Sequence, residues 1–311
     1  MIEVKNVQKT FGFAKKYALR DVSFKIRKRE TFAVVGMDGA GKTTLLNVLA
    51  GCTPPSAGCV IVDGVDLYAK PQDCIRSIGY MPARMFMYPE MTAGEYISYM
   101  FKIKGGKLTG SAEEDVLEAC GLEHRRHSLI GALSGFETAK LKLAQAIAGN
   151  VSTLILDEPA SGLKREEAAM LRGILKKLRG KYTFIMASKM LREATELCED
   201  VLVMNKGKIA VNTSITKLTS GAAAIAVLRL RIYADEEKTE EFVLSISRDA
   251  DVERIPSVEI GASDMLLTFP ADKDIRPLIW QETVRRNIPI LEMTRKDVSL
   301  EEIFLQMTGE G

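Results

Sequence analysis

Gly36-Met37-Asp38-Gly39-Ala40-Gly41-Lys42-Thr43-Thr44 is the stretch that decides the fold. It fits G-x-x-x-x-G-K-[ST], a pattern that forms a phosphate cradle when a buried strand precedes it and a helix follows. Both neighbours are present. Thr31 to Val35 is an apolar run, and Leu45, Leu46, Val48 and Leu49 recur at helical spacing until Gly51, which reads as a helix-ending glycine. Glycines let successive backbone N–H groups curl around phosphate oxygens, and the helix N-terminus adds partial positive charge. In that setting Lys42 neutralises the terminal phosphates and the Thr43 hydroxyl ligates Mg²⁺. The candidate phosphate-binding residues are therefore Gly36, Met37, Asp38, Gly39, Ala40, Gly41, Lys42, Thr43 and Thr44. The competing reading, a glycine-rich turn without a ligand, is disfavoured by the strand and helix on either side.

Further along, Leu154-Ile155-Leu156-Asp157-Glu158-Pro159 places two adjacent carboxylates at the end of a buried strand, the edge where α/β sheets hold ligands. Alone, such acids would read as solvated turn residues. Paired with the phosphate loop, Asp157 is a candidate for the Mg²⁺ shell and Glu158 for a general base acting on water. Thr183 to Ala187 is another short buried strand followed by a helical stretch, as in a parallel sheet with helices on its faces.

The N-terminal segments Met1 to Val7, Val22 to Ile26 and Thr31 to Val35 read as short strands, and Cys59 to Val62 and Val65 to Leu67 flank the hairpin signal Asp63-Gly64. The chain therefore starts with antiparallel β structure. Between Thr92 and Asn150 helical periodicity dominates, including Glu113 to Cys120 and Ala139 to Ala148, which suggests an all-α insertion. A Gly- and Ala-rich linker around Thr219 to Ala224 leads into a tail with its own rhythm. It reads as strand Ile225 to Tyr233, helix Lys238 to Ser247, strands Asp251 to Val258 and Met265 to Phe269, helix Ile275 to Arg286, strand Ile290 to Thr294 and helix Leu300 to Thr308. This rhythm is that of a split β-α-β pair.

The 311 residues suit two domains at about 150 residues each. With 46% hydrophobic and 27% charged residues the composition is globular, and 43 basic against 41 acidic residues supply no field for coating nucleic acid. No nucleic-acid partner is expected. Five cysteines without a C-x-x-C pair suit a reducing compartment. Apolar runs fall short of the roughly 18 residues a membrane-spanning helix needs, so any span must come from other chains.

These motifs resemble the ATP-binding subunit of ABC transporters, of the type whose membrane domains are separate chains and whose members include drug and antimicrobial-peptide exporters. Val22-Ser23-Phe24 and Asp63-Gly64 sit where the family's early strands do. Leu133-Ser134-Gly135, Asp157-Glu158-Pro159 and Ser161-Gly162-Leu163 follow in family order, and Ser299 to Phe304 is similar to the end of an accessory C-terminal domain. The resemblance implies an α/β fold: a P-loop NTPase (RecA-like) core with an antiparallel β subdomain and an α-helical insertion, plus a small C-terminal α/β domain. Residues 1–221 would form the ATP-binding domain, with the insertion at about 86–150, and residues 222–311 the accessory domain. ATP and Mg²⁺ would be the ligands. Phe11 would stack on adenine, worth about 1–3 kcal/mol, although its position also suits core packing. Ser134 and Gly135 would complete the site of a second ATP-binding subunit. Membrane-spanning subunits would hold the protein at the cytoplasmic face of the membrane.

Several positions depart from the family pattern. The Gln expected after Gly79-Tyr80-Met81-Pro82 is Ala83, and the signature L-S-G-G-Q becomes Leu133-Ser134-Gly135-Phe136-Glu137. That change puts a ring where backbone should approach phosphate and adds a negative charge. The Asp after Ser-Gly-Leu is Lys164, and the switch His is Lys189, which can still place a cation near the γ-phosphate. The two histidines, His124 and His127, both precede Asp157, so no shift of alignment recovers the missing one. They read as solvated. Losing one preorganised donor costs about 10²–10³ in rate and losing acid–base assistance about 10²–10⁴, whereas ground-state binding is spared. The expectation is a subunit that binds MgATP, hydrolyses it slowly by itself, and pairs as a heteromer in preference to a homodimer. Arg84 to Met91, rich in Met and aromatic residues, fits either a membrane-partner surface or packing inside the insertion.

Overall fold

The computed structural model describes residues 1–12, 16–105, 111–218, 225–257, 261–270 and 273–296. Along the chain run β1 (Ile2–Phe11), β2 (Lys16–Ile26), β3 (Thr31–Val35), α1 (Lys42–Leu49), β4 (Ala57–Val62), β5 (Val65–Asp66), α2 (Pro71–Ile75) and β6 (Ile78–Met81). The helical insertion contributes α3 (Ala93–Ile103), α4 (Ala112–Ala119) and α5 (Gly135–Ile147). Then come β7 (Thr153–Asp157), α6 (Arg165–Leu178), β8 (Thr183–Ser188), α7 (Leu191–Leu197), β9 (Asp200–Asn205) and β10 (Lys208–Ser214). The tail holds β11 (Ile225–Tyr233), α8 (Glu236–Ile246), β12 (Asp251–Ile255), β13 (Ala262–Pro270), α9 (Arg276–Arg285) and β14 (Ile290–Lys296). The helix expected over 300–308 lies outside the described residues. The chain divides into two compact units, Met1–Ile215 and a second beginning at Thr216.

In the first unit β1 is the hub of an antiparallel sheet ordered β2-β1-β4-β5. The turn joining β4 to β5 uses Asp63 and Gly64 at φ 50° and 88°, the left-handed pair that matches hairpin twist. The sequence groups Thr31 to Val35 with these N-terminal strands, but β3 sits instead inside a six-stranded sheet ordered β10-β9-β3-β8-β7-β6. The physical reason is its burial: all five of its residues are covered, which suits a central parallel strand packed on both faces. Phe24 of the antiparallel sheet stacks on Phe32 of β3 at 5.4 Å between ring centroids, tying the two sheets into one core with Leu45, Leu49, Ile155 and Ile185.

The parallel register sets the site. Val35 lies opposite Ser188, Asp157 opposite Ala187, and Met81 opposite Leu156. The loops leaving β3, β6, β7 and β8 therefore emerge at one edge of the sheet. In the insertion, α3 and α5 begin at capping boxes, Thr92 with Glu95 and Ser134 with Glu137. The C-terminal end of α5 is closed by a partly buried lysine. Lys104 Nζ donates to the carbonyls of Gln145, Ala146 and Ala148 at 2.8, 3.1 and 3.0 Å, answering acceptors that a helix end leaves unpaired. Burial pushes the Lys104 ammonium down to about 8.

The second unit is a β-α-β-β-α-β arrangement with antiparallel strands ordered β12-β13-β11-β14. Leu228, Leu230 and Ile232 alternate with Arg229 and Arg231 along β11, and the apolar set packs with Met265, Leu267, Phe242, Ile246 and Ile279. One face of the sheet thus buries against α8 and α9. Among the described residues no helix is long and apolar enough to cross a membrane.

Candidate functional site

The turn from β3 into α1 is shaped by glycines that nothing larger could replace. A Cβ at Gly36 would lie 2.7 Å from the Met204 carbonyl oxygen, and one at Gly41, where φ is 105°, would lie 2.7 Å from that of Ala18. Gly41 caps α1 without a side-chain hydrogen bond, and no acid occupies the first turn. The N–H groups at this helix start are thus left to an anionic ligand. Lys42 is almost fully buried, and its Nζ donates to the carbonyls of Gly36 at 2.7 Å and Met37 at 3.1 Å. The sequence-identified cradle residues Asp38, Gly39, Ala40, Gly41, Lys42, Thr43 and Thr44 line a cavity of about 330 Å³, joined by Phe11 and Glu158.

Phe11 is half-exposed at this cavity rather than packed in the core, and Lys9 approaches its ring at 5.1 Å. A second aromatic, Tyr17, lines the same cavity with Arg20 over its ring at 5.3 Å. The sequence reading missed Tyr17. It reaches the cavity through the register of β1 with β2, which pairs Phe11 with Lys16 and Thr10 with Tyr17.

Asp157 ends β7 fully buried, and neither carboxylate oxygen makes a hydrogen bond of good geometry among the described residues. Burial pushes its carboxyl above the ordinary range and the charge of Glu158 adds to the rise, while the Thr43 hydroxyl and Lys42 pull the other way. Unpartnered buried oxygens beside a hydroxyl are the kind of hard-oxygen donor set that suits Mg²⁺, so Asp157 and Thr43 fit the metal the sequence implies. Glu158 takes a left-handed backbone conformation, φ 47°, and its N–H donates to Ala187 at 3.1 Å. A non-glycine residue held in that region stores strain of about 1–3 kcal/mol. Its two oxygens face two ammonium groups, Oε1 toward Lys42 at 3.6 Å and Oε2 toward Lys189 at 3.8 Å.

Lys189 follows β8 and also meets Asp38 at 2.8 Å. The loop carrying it is pinned by Ser188, whose hydroxyl donates to Glu193 at 2.6 Å and accepts from the Met190 N–H at 3.0 Å. The structure thus brings Lys189 to the cradle, a contact spanning 151 residues of sequence.

Ser134 and Gly135 are not brought to this cavity. They are exposed at the start of α5, where Ser134 Oγ accepts from the Glu137 N–H at 3.2 Å. The negative charge that the sequence reading assigns to Glu137 is already answered. Glu137 accepts from the Ser134 N–H at 2.9 Å and pairs with Arg125 at 2.6 Å, and these hold its carboxyl down at about 2. Phe136 packs under Lys140, whose Nζ is 4.9 Å from the ring centroid. Ala83 is exposed beside a second cavity of about 260 Å³ shared with Lys142, Asp157 and Glu158. Lys164 begins α6, its N–H donating to Glu167 at 3.0 Å. His124 and His127 are both exposed, and no metal-binding cluster occurs among the described residues.

A nucleotide cradle at the edge of a parallel sheet, with an antiparallel sheet and a helical insertion beside it, defines an ATP-binding cassette. Residues 19–161 match the model of the ABC transporter family. The linearmycin resistance ATP-binding protein LnrL of Bacillus subtilis (strain 168) is 26% identical over 313 residues, covering 99% of this chain and 98% of its own. The uncharacterized ABC transporter ATP-binding protein YxlF of the same organism is 27% identical, covering 93% of this chain and 94% of its own. Among solved structures, the dimeric ATP-binding cassette MJ0796, in a post-hydrolysis state bound to ADP and Pi, shares the fold. Its TM-score is 0.63 at 24% identity, covering 69% of this chain and 99% of that one.

Proposed function

We propose that this chain binds MgATP at the Gly36–Thr44 cradle as one of two cassettes that drive transport through separate membrane-spanning subunits at the cytoplasmic face. The observation that carries this reading is the fully buried Asp157 carboxylate, without a hydrogen bond of good geometry among the described residues, beside Thr43 and Lys42. When bound, Mg²⁺ would neutralise charge on the phosphates, with Asp157 and Thr43 holding it. Lys42 turns from the Gly36 and Met37 carbonyls toward the phosphates. Phe11, with Tyr17 nearby, stacks against the base. Glu158 accepts the proton of the attacking water, and for this its carboxylate must be freed from the ammonium groups on either side. The near-full-length likeness to a protein named for linearmycin resistance supports export as the direction.

Ser134 and Gly135 do not line the chain's own cradle cavity, which supports a role at the nucleotide of a second cassette. With Ala83 for the amide, Lys189 for imidazole and Phe136 in the signature, two copies of this chain would form two doubly altered sites. Pairing with a less altered cassette spreads the losses, so a heteromer is preferred, with slow intrinsic turnover. The same changes favour a second reading, a nucleotide-binding regulatory subunit whose ATP acts mainly to hold the pair closed. ATPase measurements on the chain alone and with its membrane partner separate the two. Turnover at rates usual for transporters, abolished by Glu158→Gln, would remove the slow-subunit reading; slow turnover with MgATP binding intact supports it.

A further inference from the structure

Lys189 touches two carboxylates at once, Asp38 at 2.8 Å within the cradle and Glu158 at 3.8 Å. Asp38 is largely exposed and Lys189 about half so, and Ser188 fixes the backbone from which the lysine side chain reaches. Asp38 therefore places an anion over the phosphate cradle, beside the ammonium that a terminal phosphate would also seek. Lys42, by contrast, is almost fully buried and starts from backbone carbonyls, whereas Lys189 is half-exposed and starts from a carboxylate of the cradle itself.

We propose that Asp38 is an internal competitor for the γ-phosphate. Lys189 passes from the Asp38 carboxylate to the γ-phosphate when a triphosphate binds, and stays on Asp38 when a diphosphate binds. Asp38 and Lys189 together set the preference for triphosphate over diphosphate. The inference rests on the cradle being a MgATP site. Lys189 is a residue that can be handed between two anions because its ammonium is a point charge on a flexible stem, which makes no demand on bond direction.

A double-mutant cycle on binding isolates the exchange, because direct repulsion between Asp38 and the phosphates is present with or without Lys189 and cancels. Dissociation constants are measured on the full chain in Mg²⁺ for a slowly hydrolysed ATP analogue and for ADP. The four proteins are wild type, Asp38→Asn, Lys189→Met and the double variant. If the pair opens on triphosphate binding, Asp38→Asn strengthens analogue binding more in the wild-type background than in Lys189→Met. The expected excess is about two- to five-fold, the range for an exposed ion pair. For ADP the two backgrounds respond alike. Equal responses for the analogue, or the same excess for ADP, overturn the proposal. Lys189→Gln serves as a second background with a polar side chain, and circular dichroism verifies that each variant is folded. If the wild-type chain binds neither nucleotide, it is the MgATP reading that fails.

Discussion

Replacing Lys104 by Met tests how a partly buried cation holds the helix that begins with the signature. Met keeps the apolar stem in place and removes the ammonium, leaving the carbonyls of Gln145, Ala146 and Ala148 without the donor they now share. A hydrogen bond to a charged group contributes about 1.5–3 kcal/mol, so three give about 5–9 kcal/mol. Against this stands the cost of burying the charge, and the fall of the Lys104 pKa from 10.5 to about 8 corresponds to about 3 kcal/mol. The balance predicts a loss of about 2–4 kcal/mol, once some of the freed carbonyls find water. The sign with pH follows from linkage: between about 8 and 10.5 the unfolded chain binds the proton that the folded chain has released, so wild-type stability rises with pH over that window. The gap between wild type and Lys104→Met should therefore widen from pH 8 to pH 10. Urea unfolding of the full chain at several pH values, following the transition of the first unit, measures it. If Lys104→Met is as stable as wild type at pH 7, Lys104 is not the cap described here, and a gap that narrows with rising pH would contradict the lowered pKa.

Phe11→Ala should weaken MgATP binding about ten-fold or more while leaving the preference between ATP and GTP unchanged, because stacking is tolerant of base identity; fluorescent-nucleotide titration checks both. Glu137→Gln should flatten the acid side of the stability curve. The wild-type carboxyl is held down at about 2, so the stability it contributes is present above about 4.5 and is lost as pH falls toward 2, by about 1 kcal/mol for a surface group. Phe86 is fully exposed, with Met85 and Met87 half-buried beside it, and Phe86→Asp should reduce co-purification of the membrane chain without altering nucleotide affinity; unchanged co-purification would place the partner elsewhere.

What the sequence made legible was local chemistry. The cradle, the Asp63-Gly64 turn and the alternation of the tail strands each depend on neighbours a few residues away, and each is found in the structure. The Ser134-x-x-Glu137 spacing is likewise a capping box, a local signal that explains why Glu137 is not a stray charge. Less legible were features made by chain crossings. Whether Thr31 to Val35 joins the antiparallel or the parallel sheet depends on β8 and β9 arriving from more than 150 residues downstream. The Asp38–Lys189 pair and the three carbonyls around Lys104 also depend on such crossings, and the residues next to each in sequence carry no trace of the partner. Tyr17 was hidden by a hairpin whose register no turn residue announces.

Isothermal titration of MgATP into the full chain, with Lys42→Ala alongside, tests the central claim most directly. The cradle predicts a binding isotherm for wild type and its loss in Lys42→Ala, with both proteins folded. Heat of equal size and affinity from the two, or none from wild type, would contradict it.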